Sequence, residues 1–552
     1  MSFLDYFELH KNKKRKYLAK GKNYITFNED WHINETELPI GFAIDDFLEC
    51  LKKSFDVTLG KGAKTIDFCI EEGLEHGYKI IVTESNVLFV GSDCASIVQA
   101  IYYAEDLMKI FGDASLEIKE HIITPNVWPR LATSALEGGG YTKEYLNIIL
   151  HYGYNGIVFY VHDEKMVKLA KDMGLLVYYC GENFNSIANL YDGVIVENMP
   201  DEKIEGNIIY SALYWNNSLE DKVGFIKNLP EKSTVILSVD ADQRIEKDGV
   251  TYITKSGSIV MNQCSDTFIT LHNIAKEKKI NIIASTNGSG RTNEFGTVPY
   301  VPAMMQWLMR SQALKEIGVS ATIESERYGF MPNIVGEFTK AQLLSPCDEG
   351  GICIQKFAAM HFGDENIEKV MMAFKKATDG ANWLIFNRAD MEGPLQFGPA
   401  YPLINGTLYE YDFNKNDAAL ETDINMKACD DLNKASLILS HIDNEEAKEL
   451  SLILNFAVNT LVTCANAKRW YRRLDAVNNT DTDYKKNFLY GQMVKIGEQE
   501  LKNAYETAEI LIKCPYLSQN NFEPLCSAQA LEAKIKLTEN AVNEIKKKLN
   551  YQ

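Results

Sequence analysis

The chain has 552 residues, more than one hydrophobic core usually supports, so about two to four domains are expected. Hydrophobic residues make up 46% and charged residues 24%, a globular composition that excludes fibrous, repetitive and disordered chains. The formal net charge of −19 argues against a nucleic-acid or polyphosphate binder, because no excess of Lys and Arg is available to displace counterions; a neutral or small ligand fits better.

Residues 1–124 have the pattern of a small α+β domain. The segment 77–93 alternates as two paired strands do, and 66–72 alternates in the same way. A helix is predicted from Ser96 to Met108, with Asp93 as its N-terminal cap. The stripe along one side of this helix is formed by Ile97, Ile101, Tyr102, Ala104, Glu105 and Met108.

Between residues 125 and 405, short apolar strands alternate with helices, which are predicted at 142–151, 266–278 and 303–317. The candidate strands are 130–136, 156–162, 175–180, 193–198, 233–240, 281–287, 320–326 and 383–386, with 208–215 as a competing candidate. This alternation is typical of a parallel sheet, and eight is the strand number of a closed barrel. The predicted fold class is therefore α/β, a (β/α)8 TIM-type barrel, with an open doubly wound sheet as the alternative.

Residues 406–552 contain no strand pattern. Four long amphipathic segments, 417–441, 445–468, 485–513 and 526–549, predict a helical bundle. Such a bundle is more often a scaffold or an oligomer surface than a catalytic unit, so a homo-oligomer formed through these helices is possible.

The expected compartment is the cytoplasm. The eleven cysteines are scattered without CxxC spacing, which favours free, mostly buried thiols over a zinc knuckle or a disulfide scaffold. No uninterrupted run of about eighteen apolar residues is present, so no membrane span is expected. The first twenty residues lack the pattern of a secretory signal.

In a (β/α) barrel the working residues lie where the strands end, because the loops there converge on one mouth. The predicted catalytic residues at these ends are Glu324 and Glu197. The predicted substrate-binding residues are Glu326, Asp240, Asp242, Asn287, Tyr328, His162 and Asp390. This set is rich in carboxylates and poor in His, Cys and Lys.

That imbalance favours chemistry by paired carboxylates. Only nine histidines occur, and no HxxH or HxH pair is present, so no metal is expected. The GxSxG elbow of serine hydrolases is absent, and the Gly-rich segments 137–140 and 286–290 match neither a Walker A loop nor a dinucleotide fingerprint, so no cofactor is expected. Glycoside hydrolysis requires two carboxylates, one to protonate the leaving oxygen and one to attack or to activate water.

Each candidate acid also has a structural explanation. Glu324 and Glu326 share one face of the predicted strand, about 7 Å apart along the chain. Unpaired ionised acids at that place are expensive, so the pair is either ion-paired, for example with Arg327 or Arg388, or it binds or cleaves a sugar. Glu197 is either catalytic or a solvated loop acid. For Asp240 and Asp242 the alternatives are sugar binding, a salt bridge to Arg244 and loop capping.

Several segments, in this order along the chain, resemble bacterial glycoside-hydrolase-like proteins: 77–108, 194–198, 235–240, 293–302, 322–333 and 393–403. In these proteins a zincin-like N-terminal domain of the family-twenty (β-hexosaminidase) type precedes a (β/α) barrel. That domain holds no metal in this context, and this chain has no HExxH motif. The resemblance implies an exo-acting glycosidase whose acid/base follows the fourth strand and whose nucleophile lies at the seventh, which here are Glu197 and Glu324.

One departure from that family concerns the mechanism. Hexosaminidases that use the acetamido group of the substrate carry an Asp-Glu pair after the fourth strand, where this chain has Val196-Glu197. The prediction is therefore a two-carboxylate, retaining hydrolase that removes a terminal hexose or N-acetylhexosamine from small glycosides or oligosaccharides. The alternatives are a catalytically degenerate carbohydrate-binding protein and a sugar-acid isomerase or lyase. The latter needs an anion clamp, for which Arg244, Arg291, Arg327 and Arg388 are available.

Overall fold

The structure of the protein is a computed structural model. The structure describes residues 7–11, 23–133, 141–182, 184–197, 207–213, 218–286, 294–324, 329–344, 350–386, 390–391, 393–403, 418–518 and 526–550.

The N-terminal part is an α+β unit with seven strands. These are β1 Tyr24–Thr26, β2 Trp31–Ile33, β3 Lys64–Ile70, β4 Tyr78–Val82, β5 Asn86–Gly91, β6 Ser115–Glu117 and β7 Glu120–Ile123. Five of them form one sheet in the order β2-β3-β5-β4-β7, and β1 pairs with β6 in a separate two-stranded sheet. Two helices, α1 Gly41–Phe55 and α2 Cys94–Phe111, belong to this unit. The predicted cap of α2 is confirmed, because the Asp93 carboxylate accepts a hydrogen bond from the Ser96 N–H at 2.7 Å.

A closed barrel of eight parallel strands follows. These strands are β8 Arg130–Thr133, β9 Gly156–Phe159, β10 Leu176–Tyr179, β11 Gly193–Val196, β12 Ile208–Ser211, β13 Thr234–Ser238, β16 Asn281–Ser285 and β17 Thr322–Glu324. The ring closes where β17 pairs with β8, with Ile323 opposite Leu131. The predicted closed barrel is thus confirmed, and the open sheet is excluded. A short hairpin, β14 Arg244–Lys247 and β15 Val250–Ile253, follows β13.

The strand count differs from the prediction at two places. The competing candidate is a strand of the barrel, because β12 pairs with both β11 and β13. The segment 383–386 is not a strand: Trp383 ends a helix, and Leu384, Ile385 and Phe386 are buried in the core without pairing to the barrel. As a result Glu324 lies on the eighth strand of the ring, whereas the sequence placed it on the seventh.

Four helices of the barrel begin at polar caps that the sequence supplies. Thr142, Asp163, Ser218 and Ser265 each accept a hydrogen bond from a backbone N–H of the first turn of their helix. The helices of this part are α3 Lys143–His151, α4 Glu164–Asp172, α5 Leu219–Asn228, α6 Asp266–Glu277, α7 Met304–Ile317, α8 Ile334–Leu344, α9 Gly350–Phe362, α10 Ile367–Trp383 and α11 Pro394–Phe397.

Four long helices form the C-terminal part: α12 Ala418–Ser440, α13 Glu445–Asn478, α14 Asp483–Lys513 and α15 Ala528–Asn550. They confirm the predicted helical region. Within the described residues, α13 is the one helix long and apolar enough to cross a membrane, but 83% of its most apolar window is buried against the rest of the protein. That burial is what the core helix of a bundle requires.

Among the described residues, nine cysteines are not in a disulfide bond, and six of these are buried. Cys353 is disulfide-bonded, which differs from the expectation of free thiols throughout.

Candidate active site

The interior of the barrel is filled by one layer of apolar side chains, to which every strand contributes. The members of this layer are Leu131, Val158, Tyr178, Ile195, Ile209, Ile236, Ile283, Ala321 and Ile323. Side chains alternate between the two faces of a strand, so the residue two positions further along each strand also faces the barrel axis, at the carboxyl-terminal end.

These next positions form a polar ring, which we call the mouth ring: Thr133, Tyr160, Cys180, Glu197, Ser211, Ser238 and Ser285. Thr133, Ser211 and Ser285 are buried, whereas Glu197 is exposed. An apolar floor beneath small hydroxyl side chains is the kind of surface that receives a compact ligand rich in hydroxyl groups.

Glu197 is the one predicted catalytic acid that belongs to the mouth ring. It directly follows Val196, the last residue of β11. Like Ile195 two positions earlier, it is on the face of the strand that points to the barrel axis. An exposed carboxylate at the end of the fourth strand of a (β/α) barrel is placed where these folds carry their chemistry.

Glu324 has a different environment. Its neighbour Ile323 belongs to the interior layer, so Glu324 faces outward, toward the helices that surround the barrel. The side chain is completely buried; it accepts a hydrogen bond from the Tyr154 hydroxyl at 2.6 Å and lies 3.8 Å from the Arg130 guanidinium. Burial and the neighbouring Glu324 raise the pKa of Tyr154 well above its usual value, so the phenol remains a donor.

Glu197 and Glu324 also lie on strands that are far apart in the barrel. Strands β11 and β17 are four places apart in a ring of eight, and so they lie on opposite sides of the barrel. The nucleophilic role predicted for Glu324 is contradicted by this geometry, because a carboxylate behind the barrel wall and paired with Arg130 does not reach a sugar beside Glu197. The sequence analysis gave an ion pair as the structural alternative for Glu324, and the structure shows such a pair. Its partner is Arg130 rather than Arg327 or Arg388.

Asp240, a predicted hydroxyl-binding residue, is also enclosed. Its carboxylate accepts hydrogen bonds from the Ser238 hydroxyl at 2.8 Å and the Gly257 N–H at 3.0 Å, and it lies 3.2 Å from the Arg310 guanidinium. Burial raises the pKa of Asp240, and Arg310 opposes the rise. These contacts favour a structural role.

Asp242 and His162 lie nearer to the surface. Asp242 pairs with Lys222 at 2.5 Å, so its salt-bridge partner is not Arg244. The His162 ring lies half-buried, with Nδ1 2.8 Å from the Tyr191 hydroxyl, in the loop after β9. Of the two, His162 remains a candidate for contact with a ligand at the mouth.

Asp390 lies in a buried ion pair that involves the helical bundle. Lys468 of α13 donates to it at 2.6 Å and to Glu421 at 2.9 Å. Although burial disfavours the charge of Lys468, Asp390 and Glu421 raise its pKa, so the ammonium is retained. This position contradicts the predicted substrate contact, because the carboxylate is completely buried against the bundle. Glu326, Asn287 and Tyr328 lie outside the described residues.

Glu294 was not identified from the sequence, although it lies within the segment 293–302 that carries the resemblance. It is completely buried after β16 and accepts hydrogen bonds from the Tyr252 hydroxyl at 2.6 Å, the Ser258 hydroxyl at 2.8 Å and the Ile259 N–H at 2.9 Å. Burial raises the pKa of Glu294 in spite of these three donors. The residue fastens the hairpin and the following loop to the barrel.

Comparisons with known proteins support the fold. No protein-family model matches the chain, and no curated protein matches it. A solved GH138 enzyme that targets pectin rhamnogalacturonan II is similar with a TM-score of 0.52 and 10% identity, over 94% of this chain and 99% of that one. A GH115 4-O-methyl-alpha-glucuronidase with specificity for decorated arabinogalactans gives a TM-score of 0.51 and 9% identity, over 93% and 80% of the two chains.

A family GH20 chitobiase from Flavobacterium johnsoniae gives a TM-score of 0.43 and 9% identity, over 86% of this chain and 94% of that one. The first two likenesses, which extend over nearly the whole chain, show that it has the fold of barrel glycoside hydrolases. They do not show that the N-terminal unit is zincin-like.

Proposed function

We propose that the protein is a glycoside hydrolase that binds a terminal sugar in the mouth of its barrel. The observation that carries the proposal is the mouth ring, in which buried hydroxyl side chains surround an apolar floor and Glu197 stands exposed at the end of the fourth strand. Hydroxyl side chains can exchange hydrogen bonds with sugar hydroxyls, and the apolar floor can receive the face of a pyranose.

In this proposal Glu197 is the general acid/base. It protonates the glycosidic oxygen of the leaving group, and the same carboxylate then activates the water that completes hydrolysis. A terminal hexose or N-acetylhexosamine on a small glycoside is the proposed substrate, and the proposed compartment is the cytoplasm. A glucuronide also belongs among the test substrates, because one of the similar structures is a glucuronidase.

The second carboxylate must come from the mouth, since Glu324 faces the other side of the wall. Two acids are candidates for this second carboxylate. Glu182 is exposed three residues after β10, the strand that pairs with β11, and adjacent strand ends are only about 5 Å apart. Glu326, which the sequence predicts to bind substrate, is the other candidate. It lies two residues beyond Glu324, where β17 ends, so the strand alternation that turns Glu324 outward does not extend to it, and it is outside the described residues.

The test is a screen of the purified protein against nitrophenyl glycosides of glucose, galactose, their N-acetylamino forms and glucuronic acid. We expect hydrolysis of at least one substrate, and a loss of about 10³-fold or more in one of Glu182→Gln and Glu326→Gln. The loss in Glu197→Gln should be smaller on these substrates, because nitrophenol is an acidic leaving group that needs little protonation. Glu220→Gln, at an exposed position in the first turn of α5, is the matched control and should retain full activity. The configuration of the first-formed product, read by NMR, distinguishes retention from inversion.

A carbohydrate-binding protein without catalytic activity is the second candidate. The outward orientation of Glu324 favours it, because the position that the resemblance assigns to the nucleophile is occupied by a structural acid. Saturable binding of a sugar, weakened by substitutions in the mouth ring and without hydrolysis of any glycoside, would support this candidate and reject the enzyme.

A further inference from the structure

Four side chains of the kinds that bind metal ions meet outside the barrel, at the junction between the N-terminal unit and the first barrel helix. They are His10 of the segment 7–11, Asp46 of α1, Glu105 of α2 and His151, the last residue of α3. One nitrogen or oxygen atom from each lies within 4.8 Å of those of the other three. All four residues are buried, with exposed fractions of 3%, 8%, 0% and 6% in that order.

Each imidazole of this cluster lies between the two carboxylates. The two imidazoles contact opposite oxygens of Asp46, with His10 Nε2 at 3.1 Å and His151 Nε2 at 2.6 Å. Both Nδ1 atoms lie 3.8 Å from Oε2 of Glu105. Tetrahedral zinc with bonds of about 2.0–2.2 Å separates its ligand atoms by roughly 3.3–3.6 Å. One ligand atom from each of the four residues lies within 4.8 Å of the others, so shifts of up to about 1 Å bring the set to that geometry.

The polar atoms of the cluster are incompletely satisfied. The partners of Glu105 are the Lys109 ammonium at 3.6 Å and the Cys50 thiol, and neither carboxylate oxygen accepts a hydrogen bond of ordinary length. Nδ1 of His10 has no hydrogen-bond partner. Glu105 lies in the middle of a stripe of α2 whose other members are apolar and buried. A fully buried carboxylate without close hydrogen bonds is costly, so a further positive charge among these four side chains would be favourable.

We propose that His10, Asp46, Glu105 and His151 bind one zinc ion in a closed structural site. Two imidazole nitrogens and two carboxylate oxygens are a ligand set that zinc accepts in tetrahedral geometry. Calcium prefers six to eight oxygen ligands and magnesium prefers octahedral oxygen, so this set suits neither ion. The four ligands come from four separate segments, and the ion therefore fastens the N-terminal segment and the α+β unit to the barrel.

The surroundings orient the ligands as in known metal sites. Asn147 donates to Oδ1 of Asp46 at 2.6 Å, and the ring of Tyr102 stacks on His151 with 3.8 Å between centroids. A cavity of about 420 Å³, whose lining includes Lys109 and His151, offers a route for the ion.

Lys109 is the competing charge at this site. Its ammonium lies 3.6 Å from Oε2 of Glu105 and offsets one of the two carboxylates. One negative charge then remains on the two carboxylates, and a single proton would neutralise it. The alternative to a bound zinc ion is therefore a protonated cluster. The experiment separates these two occupants.

The full chain, produced without a metal-affinity tag, is stripped with a chelator and titrated with ZnCl2 alone, while bound metal is measured by mass spectrometry. We expect about one zinc per chain with a dissociation constant below ~1 µM, together with a higher melting temperature. Cobalt(II) in place of zinc should give the visible absorption of a tetrahedral complex. Zinc binding below about 0.1 equivalents in the folded wild type would overturn the proposal.

Glu105→Gln and His10→Gln should each weaken zinc binding by about 100-fold or more and abolish the thermal shift. His441→Gln removes an exposed histidine from the bundle and should leave both unchanged. If Glu105→Gln does not fold, His10→Gln decides the matter, because its side chain comes from the short segment 7–11. Unchanged zinc binding in His10→Gln would reject this ligand set. None of these measurements depends on glycosidase activity.

Discussion

Glu197 and Glu324 are glutamates at the ends of two strands of the same barrel, yet they belong to different environments. Glu197 comes two positions after the interior residue Ile195, so it lies on the inner face of its strand and is exposed at the mouth. Glu324 directly follows the interior residue Ile323, so it lies on the outer face of its strand and is buried behind the barrel wall. The comparison shows that a strand end alone does not identify a catalytic acid. The parity relative to the interior layer decides which side of the barrel wall the carboxylate occupies.

The largest expected effect is on catalysis by the mouth acid. Glu197→Gln should lower kcat/KM by about 10²–10⁴-fold for an alkyl glycoside and by much less for a dinitrophenyl glycoside, because an acidic leaving group needs little protonation. Steady-state kinetics on the two substrates measure the difference. An equal loss on both substrates would mean that Glu197 is not the general acid.

For the wall acid we expect an effect on folding instead. Glu324→Gln leaves the buried Arg130 without its counter-charge, which should lower the free energy of unfolding by about 3–5 kcal/mol in urea denaturation. Activity of the folded fraction should remain within about tenfold of the wild type. The double variant Glu324→Leu with Arg130→Met should recover much of the stability, because it removes both charges together. A stable Glu324→Gln protein without activity would reverse our assignment and restore its role as nucleophile.

A smaller effect is expected at the bundle. Asp390→Asn weakens the buried pair with Lys468 and should lower the free energy of unfolding by about 2 kcal/mol. Because Asp390 does not reach the mouth in this structure, KM should change by less than about twofold. A rise of KM without loss of stability would instead support the substrate contact that the sequence predicted.

The smallest expected effect is a pH dependence that comes from Glu294. Burial raises the pKa of Glu294 in the folded state, so the folded protein keeps a proton that the unfolded chain releases above about pH 4.3. The contribution of this group to stability should therefore fall as the pH rises from there through the raised pKa. Unfolding curves at several pH values should show the stability of the wild type, relative to Glu294→Gln, declining with pH. A difference that is constant with pH would show that this pKa is not raised.

Much of the architecture could be predicted because it depends on local patterns. The predicted helices 417–441 and 485–513 correspond to α12 and α14, and the predicted cap at Asp93 is present. The prediction took 383–386 as a barrel strand, whereas 208–211 forms that strand. Both are short apolar segments, and hydrophobic periodicity alone does not show which of them pairs with the barrel. The candidate site was predicted less well, because three of its acids, Glu324, Asp240 and Asp390, are paired with Arg130, Arg310 and Lys468.

The sequence by itself determined the order of the elements, the closed barrel and its helical C-terminal part, because caps and hydrophobic periodicity act over a few residues. The tertiary structure alone decided which acids face the mouth and which histidines meet Glu105. The physical reason is that both features depend on contacts between distant parts of the chain. Closing the barrel pairs Ile323 with Leu131, and the His–carboxylate cluster brings together four residues between positions 10 and 151. Contacts over such separations depend on the register of strands and the docking of helices, which local patterns do not specify.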